Sequence, residues 1–343
     1  MMEKKKIKLY LVLVFILFVF VLYFTLKDNY MTIINTLTEV NILYLVLGIG
    51  FVFLSKYLLG ITLYYLAKKE RKDTSLKKMV QISLIYPFFA GITPGSLGGE
   101  TFEIFYLKET GISYGKASNI AVQKFILYQI SLIIVNFIAV ILNLFTHIVP
   151  DTSLVGSSVT LNFIINIVIL LFLFLITYNK KFNHFIMNHG LSFLYKIRIV
   201  KDLKKTQKSL DSYLDNFEDG TEKLKKDKKL FIKLVVINVM SLVALIIAAA
   251  PIARSLGINN INIINLFILA TYAKMMCLLI VTPGNSGAAE YCFIYLFTGL
   301  LVEEDIMAYM LIWRFVTYYI PLIVGGVLAI MWGKEKNEKI NCI

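Results

Sequence analysis

Long uncharged apolar runs alternate with short basic loops along this chain. Segments 9–26, 41–66, 117–149, 159–178, 230–253, 260–281 and 306–332 are each apolar over about 18 residues or more, the length a helix needs to cross a hydrocarbon core of roughly 30 Å. Two shorter apolar stretches, 79–93 and 101–107, flank a Gly-rich break, and 287–301 follows a second one. The pattern predicts an all-α polytopic membrane protein of about seven transmembrane helices. To these it adds two re-entrant half-helix hairpins. Segment 9–26 is followed by Lys27-Asp28-Asn29-Tyr30 rather than a small-residue cleavage site, so it reads as a retained helix.

Composition sharpens this reading. Of the 343 residues, 58% are hydrophobic and 17% charged, against roughly 45–50% and about 25% in soluble domains. The mean hydropathy is +0.74. These values exclude an ordinary soluble enzyme, a disordered chain and a disulfide scaffold. Cys277, Cys292 and Cys342 have no disulfide or zinc spacing and read as small apolar filler. His147, His184 and His189 are too scattered for a metal site, and the last two lack an obvious carboxylate partner. Neither a metal nor a cofactor is expected.

The net charge is +13, and its distribution sets orientation. Lys4, Lys5, Lys6 and Lys8 precede the first span; Lys68, Lys69, Arg71, Lys72, Lys77 and Lys78 fill the next hydrophilic loop; the loop 179–229 holds thirteen Lys or Arg; Lys334, Lys336 and Lys339 end the chain. The opposite side holds Lys27 and Arg254. The basic clusters fall on one side if the short stretches pair as hairpins, and that side is the cytoplasm. Both termini are then cytoplasmic. Charge split among short loops argues against nucleic acid as a partner.

Within 179–229, Leu203, Leu210, Leu214, Phe217 and Leu224 recur at helical spacing, with Lys201, Lys204, Lys205 and Lys208 among them. This is one amphipathic helix or a helical hairpin. It lies on the anionic inner leaflet, or serves as a solvated connector whose charge fixes topology. The chain is thus one integral membrane domain, 1–343. A first half, 9–178, carries the re-entrant motif 92–107; the basic loop 179–229 follows; a second half, 230–333, carries the motif 281–301.

The most informative feature is the repeat. Thr93-Pro94-Gly95-Ser96-Leu97-Gly98-Gly99-Glu100 is echoed by Thr282-Pro283-Gly284-Asn285-Ser286-Gly287-Ala288-Ala289-Glu290, with one extra residue before the second serine. Pro94-Gly95 and Pro283-Gly284 stop a helix, because proline lacks a donor and glycine permits left-handed dihedrals. Ser96 and Ser286 are candidate caps for the next helix, and small neighbours such as Gly98, Gly99 and Gly287 allow close backbone approach. Loop charge makes the two copies enter from opposite sides. Two inverted, interrupted segments point to a transporter-like site near the midplane.

Ionisable residues inside the apolar segments are Lys56, Glu100, Glu103, Lys124, Lys274, Glu290 and Arg314. Each costs a few kcal/mol on insertion. Glu100, Glu103 and Glu290 either complement the positive end of a half-helix or handle a proton or cationic head group. Arg314 suits phosphate or carboxylate, or else pairs with Glu100 or Glu290 to lock the bundle. Lys56 and Lys124 read as snorkelling side chains.

These motifs, together with Phe105-Tyr106-Leu107 and Trp313-Arg314-Phe315-Val316-Thr317-Tyr318-Tyr319-Ile320-Pro321 with Gly325, resemble the lysylphosphatidylglycerol synthase transmembrane-region family. That region is the flippase-type half of the multiple peptide resistance factor proteins. The resemblance covers essentially the whole chain. It implies a multi-pass plasma-membrane protein that translocates phospholipid such as phosphatidylglycerol or lysyl-phosphatidylglycerol. The head-group path would use Ser96, Gly98, Gly99, Glu100, Glu103, Ser286, Gly287, Glu290 and Arg314. Full-length relatives add a cytosolic domain that moves lysine from lysyl-tRNA to phosphatidylglycerol. Here about ten residues follow Trp332, too few for a domain core of roughly 100 residues, so the expectation is a stand-alone translocator rather than an enzyme. The alternatives are a phosphatidylglycerol lysyltransferase, with catalysis inside the membrane region or a separate aminoacyltransferase partner, and a transporter of a polyprenyl-linked sugar; a second copy of the chain is the other candidate protein partner. Relatives often carry an arginine shortly after the first-motif glutamate; Glu103 stands there, which would favour a more cationic ligand.

Overall fold

The computed structural model describes residues 40–93, 97–196, 203–277, 285 and 287–341. The predicted span 9–26, the break residues Pro94, Gly95, Ser96, Pro283, Gly284 and Ser286, and Cys342 lie outside them. The described residues form helices α1 (Ile42–Glu70), α2 (Leu76–Gly91), α3 (Leu97–Glu109), α4 (Tyr114–Thr146), α5 (Ser153–Tyr178), α6 (Lys180–Lys196) and α7 (Leu203–Lys225). Then come α8 (Lys228–Ile247), α9 (Ala249–Ser255), α10 (Ile263–Cys277), α11 (Ala288–Phe297), α12 (Glu303–Arg314), a π-turn (Phe315–Tyr319) and α13 (Ile320–Asn341). Among the described residues, five helical stretches are long and apolar enough to cross a membrane: Ile42–Glu70, Tyr114–Thr146, Ser153–Tyr178, Lys228–Ser255 and Glu303–Gly333.

These helices are apolar outside, as a lipid solvent requires, and bury polar side chains within a mainly apolar interior. On α5, Ile164, Val168, Leu171 and Phe172 are exposed, whereas Ser158, Asn162 and Asn166 are buried. Asn162 Nδ2 donates to Met275 O on α10, and its Oδ1 accepts from Asn136 Nδ2 on α4, both at 3.0 Å. Such interhelical bonds replace the hydrophobic drive that is missing in lipid.

Helices α1 and α8 run antiparallel and are tied along their length. At one end Asn41 N–H donates to Ser255 O at 2.8 Å. Ser55 and Ser241 hydroxyls meet at 3.0 Å, and Asn238 Nδ2 donates to Thr62 Oγ1 at 2.9 Å. At the other, basic end Lys69 pairs with Asp227. The two halves of the chain are related by exchange across this pair. Helix α2 packs on α13 as α10 packs on α4; α3 packs on α4 as α11 packs on α12; α1 packs on α2 as α8 packs on α10.

Each hairpin returns to the side it left. Arg71, between α1 and α2, donates through Nη1 to Thr110 O, between α3 and α4. Asn260, before α10, donates to Leu300 O, after α11, at 3.5 Å. Because α1 and α8 are antiparallel, the hairpins hang from opposite ends of the bundle. Segment 260–281 therefore departs from the expected span. Its described part, α10, is 15 residues, roughly 22 Å of helix, and forms the inbound arm of the second hairpin.

The basic loop is a helical hairpin, α6 against α7, that docks on protein. Leu214 and Phe217 are buried, and α7 lies along α4. Asn119 Nδ2 donates to Thr221 Oγ1 at 2.6 Å. A Cβ on Gly220 would come within 2.6 Å of Asn119 Oδ1, so glycine permits this approach. Glu70, at the end of α1, is buried beneath Lys116 (3.0 Å) and Lys223 (2.9 Å), which also hold Asp219. The Lys223 hydrogen bond, then Lys116, keep the Asp219 carboxyl below the ordinary range. His184 Nε2 lies 3.2 Å from Glu218 Oε1, so a histidine without an evident partner in sequence has one in space.

Candidate functional site

At the start of each outbound half-helix a backbone N–H is satisfied by a nearby side chain. At the first, Thr93 Oγ1 donates to Phe89 O (2.8 Å) and accepts from Gly98 N–H (2.9 Å), joining the end of α2 to the start of α3. A Cβ on Gly98 would lie 2.7 Å from Phe89 O, and one on Gly99 2.6 Å from the Tyr86 ring. At the second, Gly287 has φ +86°, a left-handed conformation that favours glycine. Its N–H donates to Glu290 Oε2 at 2.7 Å.

Each half-helix then offers a carboxylate to a cation on the following span. Glu290 on α11 accepts from Arg314 Nε on α12 at 2.8 Å, and both are buried. Glu103 on α3 binds Lys124 on α4, also buried. Lys124 does not snorkel; its ammonium lies inside the bundle. Glu100, the motif counterpart of Glu290, accepts from Tyr86 OH at 2.5 Å, while Lys124 Nζ lies 4.7 Å from the Tyr86 ring centroid. Glu100 and Glu103 thus share a helix but have different partners. A lone buried charge costs several kcal/mol, and pairing offsets most of that cost.

Tyr318 links the end of α2 to the Arg314–Glu290 pair. Tyr318 OH donates to Gly91 O, at the first break, at 3.1 Å. The Tyr318 ring lies 4.6 Å from the Arg314 guanidinium, which holds Glu290 at the second. Across the bundle, Lys274 on α10 sits 5.7 Å from the ring of Tyr128 on α4, one turn after Lys124. Cys277 and Cys292 thiols touch across the second break, both free and buried. Directly after Arg314 the helix widens into the π-turn Phe315–Tyr319, one residue before Pro321. The proline cannot donate to the preceding turn, and π-turns often mark functional positions.

Of the residues expected in a head-group path, the structure groups Gly98, Gly99, Glu100 and Glu103 at the first hairpin and Gly287, Glu290 and Arg314 at the second, as two sets; Ser96 and Ser286 lie outside the described residues. Sequence reasoning missed Thr93 as a capping hydroxyl, Tyr86 as the partner of Glu100, and Tyr318 as the link from α2 to the Arg314–Glu290 pair. It also missed a second layer of the repeat. Lys124 follows Glu100 by 24 residues, as Arg314 follows Glu290 by 24, and Tyr128 and Tyr318 each lie four residues further on. That spacing was available in the sequence.

Antiparallel halves, re-entrant half-helices and intramembrane ion pairs define a polytopic helical membrane protein with an inverted internal repeat. Residues 9–325 match the family described as the lysylphosphatidylglycerol synthase TM region, and the chain belongs to that family of lipid-related membrane proteins. It is also similar to a UPF0104 membrane protein of Archaeoglobus fulgidus, with 25% identity over 260 residues, covering 72% of this chain and 74% of that one.

Proposed function

We propose that this protein is a lipid translocator of the plasma membrane, with the basic end of the bundle in the cytoplasm. Its cargo is a phospholipid of the phosphatidylglycerol or lysyl-phosphatidylglycerol kind. The observation that carries the reading is the pair of re-entrant half-helices, hung from opposite ends, each bound by its own carboxylate to a cation on the next span. An inverted pair of broken helices at membrane depth is how a fixed central site is reached alternately from either side. Arg314 and the half-helix starts meet the lipid phosphate. Glu100, Glu103 and Glu290 line the route of a cationic head group. No covalent step is needed, because moving a head group between leaflets requires only that its charges find partners at depth. The basic residues of α6 and α7 attract the anionic inner leaflet.

The test is transbilayer movement of labelled phosphatidylglycerol and lysyl-phosphatidylglycerol in vesicles that hold the purified protein, beside Glu100→Ala and Arg314→Ala. Fast movement in the wild type, lost in Arg314→Ala, is the expected result. No movement of either lipid overturns the reading. New lysyl-phosphatidylglycerol in an expressing host lacking its own synthase would instead favour the lysyltransferase that the family description names.

A further inference from the structure

Helices α5 and α8 part at the basic end of the bundle. Helix α5 packs on α4, α10 and α7, and α8 packs on α1, α4 and α10. Between the last turn of α5 and the first turn of α8 lies a groove of about 390 Å³, lined by Phe174, Tyr178, Lys225, Lys228, Phe231 and Ile232. Its floor is apolar and aromatic, with the Phe174 and Tyr178 rings stacked at 5.3 Å between centroids. Its rim is basic. Lys225 ends α7, Lys228 opens α8, and both are exposed.

The carboxylates beside that rim are already engaged. Asp227 accepts from Leu230 N–H at 3.0 Å and pairs with Lys69. Glu222 lies 3.3 Å from Lys180, and Asp219 lies 2.7 Å from Lys223. Neither Lys225 nor Lys228 has an ion pair among the described residues. The apolar floor continues away from the lysines into the span. Ile232, Val236 and Met240 recur every four residues along α8 and are exposed, as are Leu171 and Leu175 on α5.

A small soluble anion would satisfy the two lysines and leave the apolar track bare. An apolar helix would cover the track and leave two cations unmatched. A molecule with an anionic head and a hydrocarbon tail satisfies both. We propose that this groove binds an anionic glycerophospholipid from the leaflet on the basic side of the bundle. Its phosphodiester lies between Lys225 and Lys228, and one acyl chain runs over Phe174, Phe231 and Ile232. The lysine stems rest on the apolar rim with their ammonium groups at head-group level, and Tyr178 sits where amphipathic rings are favoured. Basic pockets between spans at this level suit anionic head groups. The bound lipid joins the end of α5 to the junction of α7 and α8. The site is at the basic end rather than at the half-helices, so it stands whether or not lipid crosses the bilayer.

The experiment uses the full chain purified in detergent. Wild type, Lys225→Gln, Lys228→Gln, their double variant and a control double variant, Lys77→Gln with Lys78→Gln, are each offered phosphatidylglycerol or zwitterionic phosphatidylethanolamine in mixed micelles. Retained lipid is counted by native mass spectrometry. The wild type and the control should retain phosphatidylglycerol in preference to phosphatidylethanolamine. Retention should weaken about fivefold for either single variant and about thirtyfold for the Lys225/Lys228 double variant, the scale of one and of two basic residues near an anionic surface. Phe174→Ala keeps both charges and should weaken retention of long-chain phosphatidylglycerol while sparing a short-chain form. Melting in detergent supplies a second readout. All variants should fold, and added phosphatidylglycerol should raise the melting temperature of the wild type and the control but not of the Lys225/Lys228 double variant. Equal retention of the two lipids by the wild type, wild-type retention in the Lys225/Lys228 double variant, or an equal loss in the control overturns the site. A lipid-free dimer in the mass spectrum also overturns it and assigns the groove to a second copy of the chain.

Discussion

The two hairpins perform one topological task with different chemistry. In the second, a single carboxylate does two jobs: Glu290 caps the backbone at Gly287 and holds Arg314. In the first, the jobs are divided. Thr93 satisfies Gly98, Glu100 takes Tyr86, and Glu103 takes Lys124. Arginine presents a rigid fork that fixes its partner, whereas lysine swings on a flexible stem. The second hairpin is therefore a fixed clasp. The first has a second carboxylate, Glu100, held by the neutral Tyr86 hydroxyl, to which its cation can turn.

Removing each carboxylate should expose this difference. Glu290→Ala leaves a buried arginine and a freed N–H together, and should cost about 3–5 kcal/mol, read as a large loss of thermal stability in detergent. Glu103→Ala should cost less, about 1–2 kcal/mol, because Lys124 can move to Glu100. Equal losses would mean that the hairpins are energetically alike. Backbone substitutions come next. Gly98→Ala drives a methyl into Phe89 O and Thr93 and should cost about 1–3 kcal/mol, while Gly287→Ala pays for a left-handed conformation at about 1–2 kcal/mol. A reversed order would place the tighter constraint in the second hairpin.

The smallest effect belongs to the docked loop. Asp219 has its carboxyl lowered by Lys223 and Lys116. Its contribution is complete above the unfolded-state value near 4 and is lost as pH falls through the lowered folded value. Helix α7 should therefore show smaller amide protection factors, with the pH-dependent intrinsic exchange rate divided out, at about pH 3 than at neutral pH, with the α2–α3 and α10–α11 hairpins unaffected by this particular contact.

The described spans were legible because apolar length acts locally. Hydropathy marks 260–281 as apolar, and loop charge, not hydropathy, is what makes its chain come back to the Arg254 side. The return is fixed by Asn260 and Leu300, which are 40 residues apart. Lys124 looked like a snorkelling side chain because its partner lies on another helix. The stripe of Leu214 and Phe217 announced an amphipathic helix but not that α4, rather than a lipid surface, would cover it. Tyr318 carries no charge to draw notice, and its role depends on two helices meeting.

One contact also sets a timetable. The first hairpin packs on α13, with Gly91 against Leu322 and Gly325 against Leu84 O, and Tyr318 reaches Gly91 across 227 residues of sequence. A ribosome adding about 5–20 residues per second takes roughly 10–45 s to cover that distance. For that interval the early hairpin, too short to span alone, must wait in the bilayer or beside an insertion partner for its cover. Chains halted before Gly325 should accordingly be degraded rather than accumulate as stable fragments.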